Sequence, residues 1–124
     1  MTKTSQKRKT KSSKRKTFAL FLRMSRELPR PPREIDLHAE AFLDHPEDYS
    51  ADELLGEAIA YFREMLDAAI YWGYSEIRFV HGKGKGTLRQ VIYEELNDYK
   101  TSGAIARFHP SYGNEDIVVV VIGL

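Results

Sequence analysis

The stretch from His81 to Gly86, with the sequence HGKGKG, constrains the fold of this chain more than any other segment. The five residues before it, 76–80 (EIRFV), are mostly β-branched or aromatic and alternate in polarity, which predicts a strand. After it, apolar residues recur at helical spacing from Thr87 to about Asp98, which predicts a helix. A glycine-rich loop between a strand and a helix exposes backbone N–H groups beside the positive end of the helix dipole. This junction is therefore suited to a phosphate group.

The composition of the loop supports binding of an anion. Glycine lets the backbone approach a ligand closely, and lysine adds a positive charge. The candidate phosphate- or nucleic-acid-binding residues are Gly82, Lys83, Gly84, Lys85, Gly86 and Arg89. The glycine spacing matches neither the P-loop nor the dinucleotide-binding fingerprint, so neither of those nucleotide sites is predicted. The alternative is a flexible, solvated turn in which the lysines serve no ligand.

A second group of polar residues lies on a short predicted strand, Ile35–His38. Residues two apart on a strand share a face, so Asp36 and His38 point the same way, with Cα atoms about 6.6 Å apart and no direct hydrogen bond expected. Taken alone, such a pair is more typical of an edge-strand surface than of a site. One helix separates this strand from the next, which predicts a β-α-β crossover with parallel strands. His38 and His81 should therefore open onto the same edge of the sheet, where α/β folds bind ligands.

The order of these elements predicts one α/β domain with the succession β-α-β-α-β-β. A capping box over Ser50–Glu53 starts the first helix, and Gly73 stops it. Residues 104–109 alternate as in a strand, and residues 110–116 predict a turn. The continuous apolar run 117–122 predicts a central strand covered on both faces. Alternating strands and helices imply a mixed sheet with helices on its flank or flanks.

Charge divides the chain into two parts. Residues 1–33 carry 12 Lys and Arg against one acid, Glu27, a net charge of +11, whereas residues 34–124 carry 7 against 17, a net charge of −10. We therefore expect residues 1–33 to form a basic, disordered tail with a Pro-rich linker that contacts a polyanion, and residues 34–124 to form the folded domain. A purely solubilising tail and an organelle-targeting segment are the alternatives for the basic start.

Composition excludes several classes of protein. The chain has no cysteine, so it holds neither a disulfide framework nor a thiolate zinc site. No apolar run approaches the length needed to cross a membrane, and no membrane partner is expected. We expect a cytoplasmic protein without a small-molecule cofactor. The short apolar patch from Phe18 to Leu28 is expected to dock on the folded domain or on a partner.

With both motifs in this order, the chain resembles the small MutS-related (Smr) domain family, and most of all its stand-alone bacterial members. That family is marked by L-D-L-H-G on the first strand and H-G-x-G-x-G before the second helix. The corresponding segments here are Ile35–Ala39 (IDLHA) and His81–Gly86 (HGKGKG), with Ala39 in place of the usual glycine. The resemblance covers about residues 34–124. It implies a two-layer α/β sandwich with a mixed sheet, similar to the C-terminal domain of translation initiation factor three.

The resemblance also implies an endonuclease, since the family includes nicking DNA endonucleases and RNA endonucleases, some of which act on messenger RNA at stalled ribosomes. Carried over by position, Asp36, His38 and His81 are the candidate catalytic residues, and the glycine loop is the phosphate site. We expect a nucleic-acid partner, with RNA favoured over DNA and the ribosome as one candidate, and no cofactor unless Asp36 binds magnesium. Acids in the segment 112–116, where many members have a glycine-rich turn, would repel phosphate if they face the site.

Three hypotheses for function follow. The first is a nucleic-acid phosphodiesterase in which one histidine is the general base, the other is an acid or phosphate donor, and Asp36 orients a histidine. The second is a nucleic-acid- or ribosome-binding module without cleavage, and the third is a protein-interaction adaptor. His109 is a weaker candidate for contact with substrate. Tyr71, Trp72 and Tyr74 either stack on bases or pack beneath the second strand.

Overall fold

The computed structural model describes residues 28–83 and 86–123. The strands and helices in that part of the chain, with a 3₁₀ turn at Pro46–Asp48 among them, are β1 (Glu34–Asp36), α1 (Ala39–Phe42), α2 (Ala51–Tyr71), β2 (Glu76–Val80), α3 (Thr87–Thr101), β3 (Arg107–Ser111) and β4 (Asn114–Val121). The predicted α/β class with a mixed sheet is thereby confirmed. None of the described helices is long and apolar enough to cross a membrane.

The four strands form one mixed sheet in the order β1-β2-β4-β3. β1 pairs with β2 in parallel, with Ile35 opposite Phe79. β4 pairs antiparallel with both of its neighbours, with Val118 opposite Phe79 and Val120 opposite Phe108. The predicted β-α-β crossover is confirmed, because α2 connects the two parallel strands. The crossover brings the C-terminal ends of β1 and β2 to one edge of the sheet.

The hydrophobic core lies on one face of the sheet, between the strands and the helices α2 and α3. Its fully buried side chains include Phe62, Leu66, Ile77, Phe79, Ile92, Leu96, Val118 and Val120. β4 is central, as predicted, and its consecutive residues Val118, Val119 and Val120 are all buried, so this part of the strand is covered on both faces. On the face opposite the core, Val119 is only 4% exposed and lies in register between Arg78 and His109 of the neighbouring strands.

The long helix α2 begins and ends where the sequence predicts. The Glu53 N–H donates to Ser50 Oγ at 3.1 Å, and the Ser50 N–H donates to the Glu53 carboxylate at 2.8 Å. This capping box satisfies amide groups that the start of a helix leaves unpaired. After the C-cap residue Trp72, Gly73 adopts a φ of +73°, a left-handed conformation that glycine reaches without strain.

Three boundaries differ from the predictions. β1 ends at Asp36 rather than at His38, and the chain turns almost at once into α1, a helix that the sequence pattern does not predict. β3 continues through Pro110, which an edge strand tolerates because one of its sides needs no ladder hydrogen bonds. β4 begins earlier than predicted, so the expected turn over 110–116 shrinks to Tyr112–Gly113.

The predicted Pro-rich linker packs against the domain beside the start of β2. The Trp72 Nε1–H donates to the Leu28 carbonyl at 2.7 Å, and the Tyr74 hydroxyl donates to the Pro31 carbonyl. Both aromatic residues therefore bind the backbone of the linker. Most of the basic tail, residues 1–27, lies outside the described residues, so its predicted disorder, its docking patch and the domain boundary stay predictions.

Candidate active site

Asp36 and His38 form a hydrogen-bonded pair where β1 ends. Asp36 Oδ1 accepts hydrogen bonds from the His38 backbone N–H at 2.9 Å and from His38 Nδ1 at 2.6 Å. The prediction that these residues do not bond directly is wrong, because the chain leaves the strand after Asp36, and an aspartate readily binds the backbone two residues on. A carboxylate only accepts, so Nδ1 carries the proton. The Nε2 lone pair of neutral His38 is therefore available to take another.

His38 faces the start of the glycine loop at very short range. A Cβ atom built on Gly82 would lie 2.7 Å from His38 Nε2, and Gly82 has a φ of +75°. Only a residue without a side chain permits this close approach and this backbone conformation together. The two sequence motifs thus meet in the folded chain, and Gly82 is the point of contact.

The histidines and the loop line one cleft of about 410 Å³. The sequence-predicted site residues on its walls are His38, His81, Lys83, Gly86 and Arg89. Asp36 reaches the cleft through its bonds to His38. Gly82 lies against His38 but does not line the cleft. The other two predicted residues, Gly84 and Lys85, lie outside the described residues. The structure therefore gathers nearly all of the described candidates at one edge of the sheet.

His81 is buried, with 7% of its surface exposed. Its Nδ1 atom lies 2.9 Å from the Gly82 carbonyl, which only accepts, so Nδ1 carries the proton. Burial lowers the pKa of His81 below its usual 6.5, because desolvation disfavours the imidazolium form. The positive charge of Arg89 acts in the same direction, whereas the Gly82 carbonyl and Asp116 oppose the shift. His81 is therefore neutral at neutral pH, with an Nε2 atom that can only accept.

The lowered pKa of His81 predicts a loss of stability in acid. In the unfolded chain the pKa of the imidazole returns to about 6.5, so below that pH the unfolded state binds more protons than the folded state. The stability linked to this residue is complete above about pH 6.5 and is lost as the pH falls through the folded-state pKa. His81→Gln does not titrate there, so its free energy of unfolding should fall less than that of the wild type between about pH 7 and pH 5, as measured by urea unfolding. Equal losses in the two proteins would contradict the burial effect.

Some of the loop N–H groups that were predicted to bind phosphate form hydrogen bonds within the protein instead. The Asp116 carbonyl accepts hydrogen bonds from the N–H groups of His81 and Gly82, at 2.9 and 3.2 Å, and the Gly86 N–H donates to the Lys83 carbonyl at 3.0 Å. In the first turn of α3, by contrast, no described side chain caps the amide groups, and that turn contains no acid. An anion is therefore best placed at the N-terminus of α3.

Positive and negative side chains share the surface beside the loop. Lys83 and Arg89 line the cleft of the histidines and also a second groove of about 520 Å³. The other wall of that groove includes Glu115 and Asp116, so the acids after the β3–β4 turn do face the loop. These carboxylates oppose an anion in the second groove, and anion binding is favoured on the side of the histidines.

Two contributions to the site are not evident from the sequence. The backbone carbonyl of Asp116, on a different strand, anchors the start of the loop. Leu54, Leu55 and Ala58 of α2 form an apolar wall of the cleft. Their helical spacing indicates only a core-facing stripe, and no pattern distinguishes a cleft wall from the core. His109, the weaker candidate for contact with substrate, lies in β3, outside both the cleft and the groove.

Known proteins resemble this chain in sequence. The family model of the Smr domain matches residues 54–123. The protein named endonuclease MutS2 from Thermus thermophilus is 35% identical over 68 residues, which are 55% of this chain and 9% of that protein. Endonuclease MutS2 from Staphylococcus epidermidis is 28% identical over 111 residues, which are 90% of this chain and 12% of that protein. The chain thus corresponds to a small part of each of these relatives.

The comparison of folds identifies the same domain. The crystal structure of the Smr domain of Thermus thermophilus MutS2 matches with a TM-score of 0.56 and 27% sequence identity, covering 75% of this chain and 100% of that one. The family match begins within α2, so the Asp36–His38 pair precedes it, and it extends over more than half of the 124 residues. Because sequence and fold agree on the same domain, this chain belongs to the Smr domain family.

Proposed function

We propose that this chain is a nucleic-acid phosphodiesterase, an endonuclease that favours RNA over DNA. The observation that carries the proposal is the Asp36–His38 pair, whose Nε2 atom faces Gly82 at the start of the glycine loop. Lys83, Arg89 and the N-terminus of α3 lie beside it as the anion site. A base held next to an anion site is what cleavage of a phosphodiester requires. Membership of the Smr family and the similarity to proteins named endonuclease MutS2 support the proposal.

His38 is the proposed general base, and Asp36 is a positioning residue that fixes the ring and holds the proton on Nδ1. With RNA bound, Nε2 takes the proton of the 2′-hydroxyl as its oxygen attacks the adjacent phosphorus. The bond from phosphorus to the 5′-oxygen breaks, leaving a cyclic phosphate on one product and a 5′-hydroxyl on the other. Because His38 is about half exposed, the proton it gains passes to solvent, and the leaving oxygen takes its proton from water. The 2′-hydroxyl supplies the nucleophile, which is the reason to favour RNA.

His81 has a different role in this mechanism. Its lowered pKa leaves it neutral, and its Nδ1–H is bonded to the Gly82 carbonyl. A neutral ring with an accepting Nε2 atom repels phosphate oxygens, so the role of acid or phosphate donor does not suit it. We assign His81 to the wall of the cleft, where Nε2 accepts a hydrogen bond from bound substrate.

Asp36 serves His38 and not a metal ion in this proposal. Magnesium in phosphate chemistry is usually held by one or two carboxylates together with phosphate oxygens. Asp36 Oδ1 already accepts two hydrogen bonds from His38, so this oxygen is committed to orienting the ring. The donor set therefore fits an oriented histidine better than a metal ion, and no step is routed through magnesium.

A cleavage assay with the full chain tests the proposed function. Single-stranded RNA, structured RNA and nicked or branched DNA are each incubated with and without a chelator. We expect product from RNA that is insensitive to the chelator. A strict need for magnesium would overturn the metal-free mechanism, and cleavage of DNA alone would overturn the preference for RNA.

A binding module without cleavage is the second candidate function. Glu115 and Asp116 face the loop that carries Lys83, which favours this candidate because carboxylates weaken the stabilisation of charge that develops on a phosphate. Tight binding of the same three substrates without any product would select it over the enzyme.

Lys83 and Arg89 should contribute to binding through their charge. Lys83→Ala and Arg89→Ala should each reduce the slope of log affinity against log salt concentration by about 0.7 on a single strand, because one fewer counterion is released. Fluorescence anisotropy over a salt series measures the slope. Lys100→Ala, in the last turn of α3, is the matched control and should keep the wild-type slope. If neither Lys83→Ala nor Arg89→Ala changes the slope, these two side chains do not contact phosphate.

We further propose a division of labour between the tail and the domain. The net charge of +11 on residues 1–33 supplies a long-range attraction to polyanions that the domain, with a net charge of −10, lacks. The site on the domain then positions one phosphate. A ribosome or another large RNA is the class of partner that this combination suits.

A further inference from the structure

The cleft beside the Asp36–His38 pair is larger and more apolar than a phosphate site requires. Its volume of about 410 Å³ falls in the range of small-molecule pockets, roughly 300–1,000 Å³. Leu54, Leu55 and Ala58 of α2 form one wall, and Leu88 of α3 adds to it. Apolar side chains do not stabilise a phosphate, so these walls indicate that an apolar part of the ligand lies against them.

The Nε2 atom of His81 is an independent sign of a ligand in the same cleft. His81 lines the cleft and is 7% exposed, and its Nε2 atom is buried with no hydrogen-bond partner among the described residues. Buried polar atoms without a partner are uncommon in folded proteins. Since Nδ1 holds the proton, Nε2 is an acceptor, and the group that completes it must carry an N–H or O–H donor.

The charged side chains around the cleft determine the orientation of the ligand in it. Lys83 and Arg89 attract an anion to the loop side of the cleft, whereas the carboxylate of Asp52 on α2 repels one from the opposite element. The occupant therefore has an anionic end, an apolar body and a hydrogen-bond donor. We infer that the cleft binds one unpaired nucleobase of the strand whose phosphate lies at the loop. A base has apolar faces and N–H donors on its edge, and it is joined to a phosphate.

This inference rests on the proposed function and names its substrate class. A base that is paired and stacked in a duplex cannot enter a cleft, so the preferred substrate is single-stranded, bulged or locally opened nucleic acid. The walls offer apolar contact to any base and few groups that read its edge, so the sequence preference should be weak.

Binding of the full chain to three DNA probes of equal length tests the inference; the two single strands carry equal numbers of phosphates, and the duplex carries twice as many. The probes are a single DNA strand, the same strand with abasic residues throughout, and a duplex, and fluorescence anisotropy gives each affinity. We expect the normal strand to bind about tenfold more tightly than the abasic strand, because burying one base is worth about that factor.

Two variants alter the wall of the cleft. Ala51→Leu adds bulk to an exposed position on the cleft wall, and Leu55→Asn removes apolar contact without enlarging the side chain. Either variant should lower the affinity for the normal strand to that for the abasic one.

The controls separate the inference from the function on which it rests. Ala106→Leu adds the same bulk at an exposed position outside the cleft and should bind all probes like the wild type. Unfolding in urea shows whether each variant remains folded. If wild type binds normal and abasic strands equally, the phosphate site stands but the base cleft is refuted, and an apolar side chain of a protein partner becomes the better occupant. If the wild type binds no probe, the base cleft is refuted, and the RNA cleavage assay separately decides the proposed function.

Discussion

Replacing His38 by alanine should lower the rate of RNA cleavage by about 10²- to 10⁴-fold, the range that a positioned general base supplies. Nε2 of this ring is the basic atom that faces the glycine loop, and in the neutral ring the bond to Asp36 places the proton on Nδ1, which leaves the Nε2 lone pair available. Single-turnover cleavage of labelled single-stranded RNA measures the effect, with enzyme in excess so that binding does not limit the rate. Product formed at the wild-type rate would remove His38 from the mechanism.

Two further variants make this result specific. His109→Ala removes an exposed histidine of β3 outside both the cleft and the groove, and it should keep the wild-type rate. Asp36→Asn should lower kcat while leaving KM unchanged, because the side chain holds the ring and does not touch substrate. A rise in KM alone would instead assign Asp36 to binding.

The second large effect is expected from Gly82→Ala, which should reduce cleavage by about 10²-fold, the cost of a displacement of about 1 Å at a reacting group. The new Cβ atom would lie 2.7 Å from His38 Nε2, closer than two such atoms can approach. Moving the ring aside would disturb its bond to Asp36, which sets the position of Nε2. The φ of +75° adds about 1–2 kcal/mol of strain for any residue with a side chain.

Gly103→Ala is the matched control for this variant. Gly103 also has a positive φ, +86°, but nothing lies within 4 Å of an added Cβ atom, and the residue follows the end of α3. Urea unfolding should show a loss of stability in both variants, because both place a side chain at a positive φ, whereas only Gly82→Ala should lose activity. Equal activities would show that the contact between His38 and Gly82 has no role in catalysis.

Much of the fold could be predicted because its signals are local. The capping box at Ser50 and the glycine that ends α2 depend on residues within one turn of the helix, and both stand where the sequence indicates. The parallel pairing of β1 with β2 follows from a general rule about crossovers. The end of β1 was beyond such rules, since the bond from Asp36 to His38 competes with the strand ladder and turns the chain into α1.

Some features of the candidate site could likewise be predicted from the sequence, and others could not. The residue types of the loop indicate an anion site, because glycine, lysine and a helix start act over a few bonds. Nothing in the order of residues shows that a carbonyl of β4 takes up the first amide groups of the loop, or that acids of β4 face Lys83. Those contacts join segments that are remote along the chain.

The linear pattern was enough to identify the α/β class, the two motifs and their meeting at one sheet edge, since each depends on short-range geometry or on a rule of chain connection. It could not distinguish the two histidines from each other. Folding leaves His38 half-exposed and hydrogen-bonded to a carboxylate. It buries His81 beside the Gly82 carbonyl, and the burial lowers the pKa of His81. Burial and the distance between remote atoms set the chemistry of an imidazole, and both quantities exist only in three dimensions.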